Sequence, residues 1–249
     1  MHPSISHRRG HYGFDAPYAP IGMLAGALIS LGMAAGWAAG PVPLVYGPLW
    51  LGLYGVLLLG MTGSYVYTTR RGKFEVWAEL VEGLDLRGDE RALDLGCGRG
   101  LVLLELARHL EHGEAVGVDL WRSVDQSGND PEATWANARA EGVADRITLR
   151  TGDITRLPFD DRDFDVVTCS LVIHNIRLEK DRIQALREAV RVLRPGGRLL
   201  IADFRQTGFY AEQLDAMGMT GIRRRNLGWR FWYGAPPWAT WLVDARKPD

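Results

Sequence analysis

The chain has 249 residues, 47% hydrophobic and 24% charged, with a formal net charge of −1 and two cysteines. That length fits one large domain, or a modest domain with an accessory segment. The charge balance excludes a dedicated nucleic-acid binder, two cysteines exclude a disulfide scaffold, and the apolar content excludes disorder. Arginine outnumbers lysine 26 to 3, which reads as genome composition.

Charge is unevenly spread along the chain. The 54 residues from Ala16 to Thr69 contain no Asp, Glu, Lys or Arg, whereas the 180 that follow hold 27 of the 29 basic and 29 of the 30 acidic side chains. Residues 21–40, bounded by Pro20 and Pro41, would form about 30 Å of helix, the thickness of a bilayer's hydrocarbon core. A second apolar run extends from Leu44 to Val66. Tyr65 and Tyr67, then Arg70, Arg71 and Lys73, read as an interfacial belt and a cationic stop. The GPVP between the runs would turn the chain, and glycines at 22 and 26, and at 32, 36 and 40, would let helices approach closely. A signal peptide has a shorter apolar core and no second long one after it. A buried hairpin would need more apolar partner surface than the remaining chain offers. Two spanning helices are therefore expected.

The sequence divides into a mobile tail over residues 1–19, a transmembrane hairpin over 20–69 and a charged domain over 70–249. Arg8 and Arg9 precede the hairpin and Arg70, Arg71 and Lys73 follow it. The positive-inside rule then puts both termini and the domain on the cytoplasmic side of a multi-pass inner-membrane protein. His2, His7 and His11 in the tail form no convincing metal site, and no metal is expected.

Residues 73–81 have helical spacing. Strand-like RALDLG, EAVGVDL, RITLR, FDVVTCS and RLLIADF then alternate with helix-like LVLLELARHL, PEATWANARAEGV and DRIQALREAVRVL. This alternation predicts an α/β, Rossmann-like, doubly wound and mostly parallel sheet that binds its ligand beyond the carboxyl ends of the strands. The aromatic tail, with Trp229, Phe231, Trp232, Tyr233, Trp238 and Trp241 around GAPP, predicts an antiparallel hairpin added to that sheet. Its rings read as packing, or as a pocket wall or membrane-contacting lip.

Gly96, Gly98 and Gly100 follow the first strand, and their spacing is not the dinucleotide fingerprint G-x-G-x-x-G. Asp94 stands two residues before them. Asp119 ends the second strand, where a carboxylate can accept the hydroxyl protons of a ribose, and Asp153 follows the third. A nicotinamide oxidoreductase is disfavoured by the glycine spacing and by the lack of a Tyr-x-x-x-Lys pair.

The segments ALDLGCGRG, AVGVDL, TGDITRLPFDDRDFDVV and EAVRVLRPGGRLLIADF resemble, in order and spacing, the motifs of class I S-adenosylmethionine-dependent methyltransferases. The likeness covers about residues 73–249 and is greatest to the branch containing ubiquinone/menaquinone C-methyltransferases and many small-molecule methyltransferases. It implies that Gly96 and Gly98 pass under the methionine part and ribose of S-adenosylmethionine, with Cys97 in the same run and Asp94 holding the amino group. It further implies Asp119 on the ribose hydroxyls, Leu120 or Trp121 over an adenine face, and Asp153 with the Ile154 N–H on the adenine edge. The backbone carbonyl of Ser170 would meet the methionine amino group. The thiols of Cys97 and Cys169 read as core.

His174, after the fourth strand, is the candidate base or orienting group. The segment Ser170–Ile176 lacks the Asn/Asp-Pro-Pro-aromatic motif of amino methyltransferases. The implied acceptor is an apolar or lipid-like small molecule, with membrane lipids as neighbours and no nucleic acid. Arg223, Arg224 and Arg225 could touch anionic headgroups or form a solvated edge, and the glycine stripes would permit oligomers. The alternative is a non-catalytic membrane protein that senses the cofactor or binds a partner.

Overall fold

The computed structural model describes residues 8–39, 46–122 and 127–249. Two apolar helices, α1 (Tyr18–Ala38) and α2 (Tyr46–Tyr67), come first. Each is long and apolar enough to cross a membrane. Gly26 lies against Leu58, Gly55 against Leu31 and Gly47 against Trp37, a descending register that makes the pair antiparallel. Among the described residues, these are the glycines that sit in the seam. Gly22, Gly32 and Gly36 face open space, so the four-residue stripe does not pack α1 on α2. The GPVP turn and Gly40 lie outside the described residues. Pro20 stands inside the first turn of α1 rather than before it, where a missing N–H costs no intrahelical bond.

The cationic segment after α2 does not end the helix. A π-helical turn, Thr68–Gly72, carries the chain straight into α3 (Lys73–Glu82). Nothing before Gly72 breaks a helix, and Gly72 serves another purpose. A Cβ there would stand 1.7 Å from the main-chain oxygen of Arg230. The aromatic loop is therefore seated on the helical joint. The Oγ of Ser64 and the Oγ1 of Thr68 donate to the carbonyl of Trp232, and Arg230 bridges both oxygens of Glu79. Tyr65 is buried, with its hydroxyl on the Asp15 carbonyl, so it does not belong to an interfacial belt.

The expectation of a mobile tail fails for residues 8–17, the described part before α1. Arg8 pairs with Glu105 at 2.7 Å, the His11 N–H donates to Asn137, and Tyr12 is buried with its hydroxyl on Glu141. Burial of Tyr12 against Phe74 anchors the segment. His2 and His7 lie outside the described residues, and no group of three metal-ligating side chains occurs among the described ones.

The domain is a seven-stranded sheet in the order β3-β2-β1-β4-β5-β7-β6. Its strands are β1 (Arg91–Leu95), β2 (Glu114–Asp119), β3 (Ile147–Thr151), β4 (Phe164–Ser170), β5 (Leu193–Asp203), β6 (Thr220–Asn226) and β7 (Trp241–Arg246). The first five are parallel and β7 runs antiparallel to β5 and β6. Helices α4 (Leu101–Arg108), α5 (Pro131–Glu141) and α6 (Glu179–Val192) make the crossovers. The direction of strand order reverses between β1 and β4, which opens a crevice at their carboxyl ends. The expected Rossmann-like class and antiparallel C-terminal hairpin are both present.

Two details differ from the sequence pattern. The first hairpin strand is TGIRRRN, not the aromatic run, because residues 227–240 form two 3-10 turns and a single bridge, Trp232 to Ala239. A seventh helix, α7 (Thr207–Ala216), lacks clear amphipathic spacing and is held by burial of Tyr210 and Leu214. Strand β6 is an exposed edge. Arg223 pairs with Asp244, and Arg224 lies 4.1 Å over the Trp241 ring, charges that discourage pairing with another chain.

Replacing Gly72 by alanine should lower the thermal unfolding midpoint, with a cost of about 1–3 kcal/mol for forcing the joint from the Arg230 carbonyl. Gly32→Ala, with nothing near its Cβ, should leave it unchanged. Equal midpoints for the two variants would remove the proposed seat of the aromatic loop.

Candidate active site

A cavity of about 1160 Å³ opens at the carboxyl ends of β1, β2 and β4. Asp94, Gly96, Cys97, Gly98, Asp119, Leu120, Asp153, Ile154, Ser170 and His174 all line it. Ten of the eleven site residues expected from sequence are thus brought together. Trp121 is not: its backbone takes φ +57° and its indole N–H donates to Thr151 Oγ1 at 2.9 Å, away from the cavity. Leu120 is the residue that faces inward.

The glycine loop is held from within. The N–H groups of Gly96 and Cys97 donate to the Val118 carbonyl, that of Gly98 to Asp119 Oδ2 at 2.8 Å, and that of Gly100 to the Cys97 carbonyl. None of these four is left to cradle a phosphate. A dinucleotide is therefore a poor fit, whereas a ligand without phosphate suits the loop. At Gly96, φ is +67° and a Cβ would come within 2.3 Å of Val172, so only glycine passes here.

Asp94 is fully buried. One oxygen accepts from Thr168 Oγ1 at 2.8 Å and the other from the Leu103 N–H at 3.1 Å. Burial pushes its pKa up to about 7, against the opposing pull of those two hydrogen bonds. Asp119 is half-buried and accepts from the N–H groups of Gly98 and Trp121 and from Asn129 Nδ2. Among the described residues the buried Asn129 Oδ1 has no partner, an open acceptor in the cavity wall. Asp153 is exposed and closes a local turn with Thr155. Burial raises both cysteine thiols well above their ordinary range, so neither is a thiolate. The hydroxyl of Ser170 accepts from the Trp77 indole at 2.9 Å.

His174 reaches the cavity from a 3-10 turn after β4. Its Nδ1 stands 2.9 Å from Oδ1 of fully buried Asp203, too oblique for an aligned hydrogen bond, and its backbone N–H donates to Asp203 Oδ2. Its ring packs 4.5 Å from Phe204. Sequence reasoning missed Asp203, although an acid closing β5 obeys the same strand-end rule that singles out Asp119. It also missed Asp15, Lys73 and Tyr233, which line the cavity from three distant parts of the chain.

Residues 93–201, from β1 into β5, match the family profile described as "Methyltransferase domain". That stretch, less than half of the chain, is similar to methyltransferase domains. The ubiquinone/menaquinone biosynthesis C-methyltransferase of Dinoroseobacter shibae is 37% identical over 136 residues, which cover 54% of this chain and 51% of that protein. The 27-O-demethylrifamycin SV methyltransferase of Amycolatopsis mediterranei is 35% identical over 121 residues, covering 49% and 41%. This chain thus spans about half the length of the curated relatives it matches. Among solved structures, the [4+2]-cyclase SpnF has a TM-score of 0.56 at 22% identity, covering 69% of this chain and 79% of that one. The methyltransferase fold alone therefore does not dictate the reaction.

The residues present fit S-adenosylmethionine, the cofactor of such domains. The inward glycines, the unpartnered Asn129 oxygen and three carboxylates share one cavity. Gly96, Cys97 and Gly98 would lie under the cofactor, Asp119 and Asn129 would face its ribose, and Asp153 and Ile154 its adenine. Asp94 would face its cationic methionine end.

Asp94 should give two opposite pH trends. Its folded pKa is above that of a free aspartate, so its contribution to stability is full below about pH 4 and is lost as pH rises through about 7. A cationic ligand favours the ionised form, so cofactor affinity should rise with pH from 6 to 8 with release of a proton. Calorimetry in two buffers of different ionisation enthalpy checks this. Proton uptake on binding, or a dependence that survives in Asp94→Asn, would contradict it.

Proposed function

We propose that this chain is a membrane-anchored enzyme that moves the methyl group of S-adenosylmethionine to an apolar, quinone-like small molecule drawn from the bilayer. One observation carries the reading. The cavity that holds the cofactor motifs is also walled by Tyr18, Ala19 and Met23 of α1 and by Met61 and Tyr65 of α2. The way to the reacting centre thus passes the base of the two apolar helices.

Several facts support the anchor. Only 11% and 17% of the most apolar windows of the two helices are buried, where a core helix would be mostly covered. Ile21 (67%), Trp50 (66%), Leu28 and Leu57 point outward from helices that carry no charge. Such a surface in water would be a large exposed patch, and in lipid it is the expected exterior. The flanking Arg8, Arg9, Arg70, Arg71 and Lys73 favour an inner-membrane topology with both ends and the domain in the cytoplasm. The quinone-like acceptor rests on the relative named as a C-methyltransferase of ubiquinone/menaquinone biosynthesis. Of the basic edge, Arg225 is left for anionic headgroups, since Arg223 and Arg224 are engaged by Asp244 and Trp241.

When bound, the cofactor supplies an activated methyl on a sulfonium leaving group. The protein's task is to place the acceptor in line with that methyl and to exclude water. Val172 lines the cavity beside Gly96, and Phe204 and Tyr233 line it toward the aromatic loop. His174 faces the cavity with Asp203 at Nδ1, which leaves Nε2 to take the proton the acceptor loses as its new bond to the methyl carbon forms. Asp203 also accepts from the Tyr210 hydroxyl and the Phe204 N–H, so it is fixed before the imidazole charges.

The test is the purified full chain in lipid nanodiscs with methyl-labelled cofactor and a bacterial lipid and quinone extract. Label should enter an apolar small molecule. His174→Ala should lower kcat about 100-fold or more while cofactor Kd stays within twofold, and Asp119→Lys should abolish cofactor binding. Label confined to protein, or none anywhere despite tight cofactor binding, would overturn the reading in favour of a cofactor sensor.

A further inference from the structure

A second polar group sits in the same cavity, at the end near the hairpin. Lys73, the first residue of α3, is buried, with its side chain 5% exposed. Its ammonium lies 2.6 Å from Asp15 Oδ2, and the Tyr233 hydroxyl donates to the same oxygen at 2.9 Å. The Tyr65 hydroxyl donates to the Asp15 carbonyl and fixes the backbone there. All four residues line the cavity.

Burying a lysine is costly even when it is paired. A tie between the N-terminal segment and the domain needs only the Lys73–Asp15 contact and no cavity beside it. Here the ammonium keeps two N–H donors beyond the one that Asp15 accepts. The Tyr233 oxygen keeps its lone pairs. Because Nζ and Oη both stand within 3 Å of one carboxylate oxygen, a single ligand atom can reach both. The surroundings are apolar: Met23, Met61 and Ala19 lie on the hairpin side, and Phe204 links Tyr233 to His174. A mostly apolar cavity with a few convergent polar groups is the usual form of a site that orients an apolar ligand by one polar atom.

We propose that Lys73 and Tyr233, held in place by Asp15, form the specificity site for a ring hydroxyl of the methyl acceptor, of the phenol or hydroquinone class. The acceptor oxygen receives an N–H from Lys73 and its hydroxyl donates to Tyr233 Oη. The apolar substituent then runs past Met23 and Met61 toward the helices. Burial holds the Tyr233 phenol well above its ordinary pKa, so it keeps its own proton on Asp15 and leaves its oxygen free to accept. The pair discriminates by the hydroxyl hydrogen: an ether in the same place leaves a buried acceptor unmatched. This assignment rests on the acceptor class proposed above.

The experiment measures equilibrium binding to the full chain in nanodiscs, with S-adenosylhomocysteine present. The probes are a 1-naphthol bearing a short isoprenoid chain and its methyl ether. The naphthol should bind at least tenfold more tightly. Tyr233→Phe and Lys73→Met should each shrink that preference below threefold with cofactor Kd within twofold, and Lys73→Arg should restore part of it. If Lys73→Met does not fold, Tyr233→Phe carries the test, since it removes a single oxygen. A wild-type chain without the preference, or variants that keep it, would overturn the assignment. Binding here requires no methyl transfer. A chain that transfers no methyl yet shows the preference refutes only the proposed reaction, and one that methylates quinols with the preference intact in both variants refutes only this site.

Discussion

The rest of the structure depends on a helix that does not stop. From Tyr46 to Glu82 the backbone stays helical through a π turn at Thr68–Gly72, so the last turns of the apolar hairpin and the first helix of the α/β domain are one element. A flexible linker would let the domain rotate relative to the helices and would leave no fixed surface between them. The Arg230 carbonyl against Gly72 and the Trp232 carbonyl on Ser64 and Thr68 lock the same joint from the opposite side. The cavity can therefore have walls from both parts. The N-terminal segment adds a third constraint, since Arg8 and Lys73, two of the cations flanking the hairpin, are consumed by Glu105 and Asp15.

Within the domain, carboxylates do the shaping before any ligand arrives. Asp119 is held by two N–H groups and an amide, and Asp94 by a hydroxyl and an N–H, which leaves each with acceptor capacity. Hydrogen bonds to a charged acceptor contribute about 1.5–3 kcal/mol each, enough to fix a loop whose glycines would otherwise sample many conformations. The cost is a strained protonation equilibrium at Asp94. A preformed loop that spends its N–H groups internally gives up anion binding and gains a rigid floor for a ligand that has no phosphate.

The sequence made the domain legible wherever the signal was local. Strands β1 to β5 are short apolar runs, α4 and α6 have helical spacing, and Asp94, Asp119 and Asp153 stand at fixed offsets from strand ends. What it hid was non-local. Tyr12 and Phe14 look like tail residues until Glu141, more than a hundred positions away, is seen to meet Tyr12. Tyr233 and Asp15 are 218 residues apart and no periodicity links them. Gly72 is a weak helix former whose need is set by a carbonyl from another part of the chain. Trp121 failed for a different reason: a positive φ at one residue sends a side chain to the opposite face, and nothing in the neighbouring letters announces it.

On the proposed reading, the arrangement separates the two ligands by phase. In that reading Asp119 and Asp153 would face the cofactor from the strand ends, a polar rim that a water-soluble compound can reach. The sulfur- and aromatic-lined end lies at the foot of two helices whose outward side chains are apolar. An acceptor dissolved in a bilayer is concentrated in that plane, so an enzyme fixed there meets it at high effective concentration without a binding surface large enough to extract it from lipid. Apolar contact alone cannot then choose the acceptor, because every lipid offers it. Selection would then have to come from polar atoms placed among the apolar ones, the role proposed for His174, Tyr233 and Lys73.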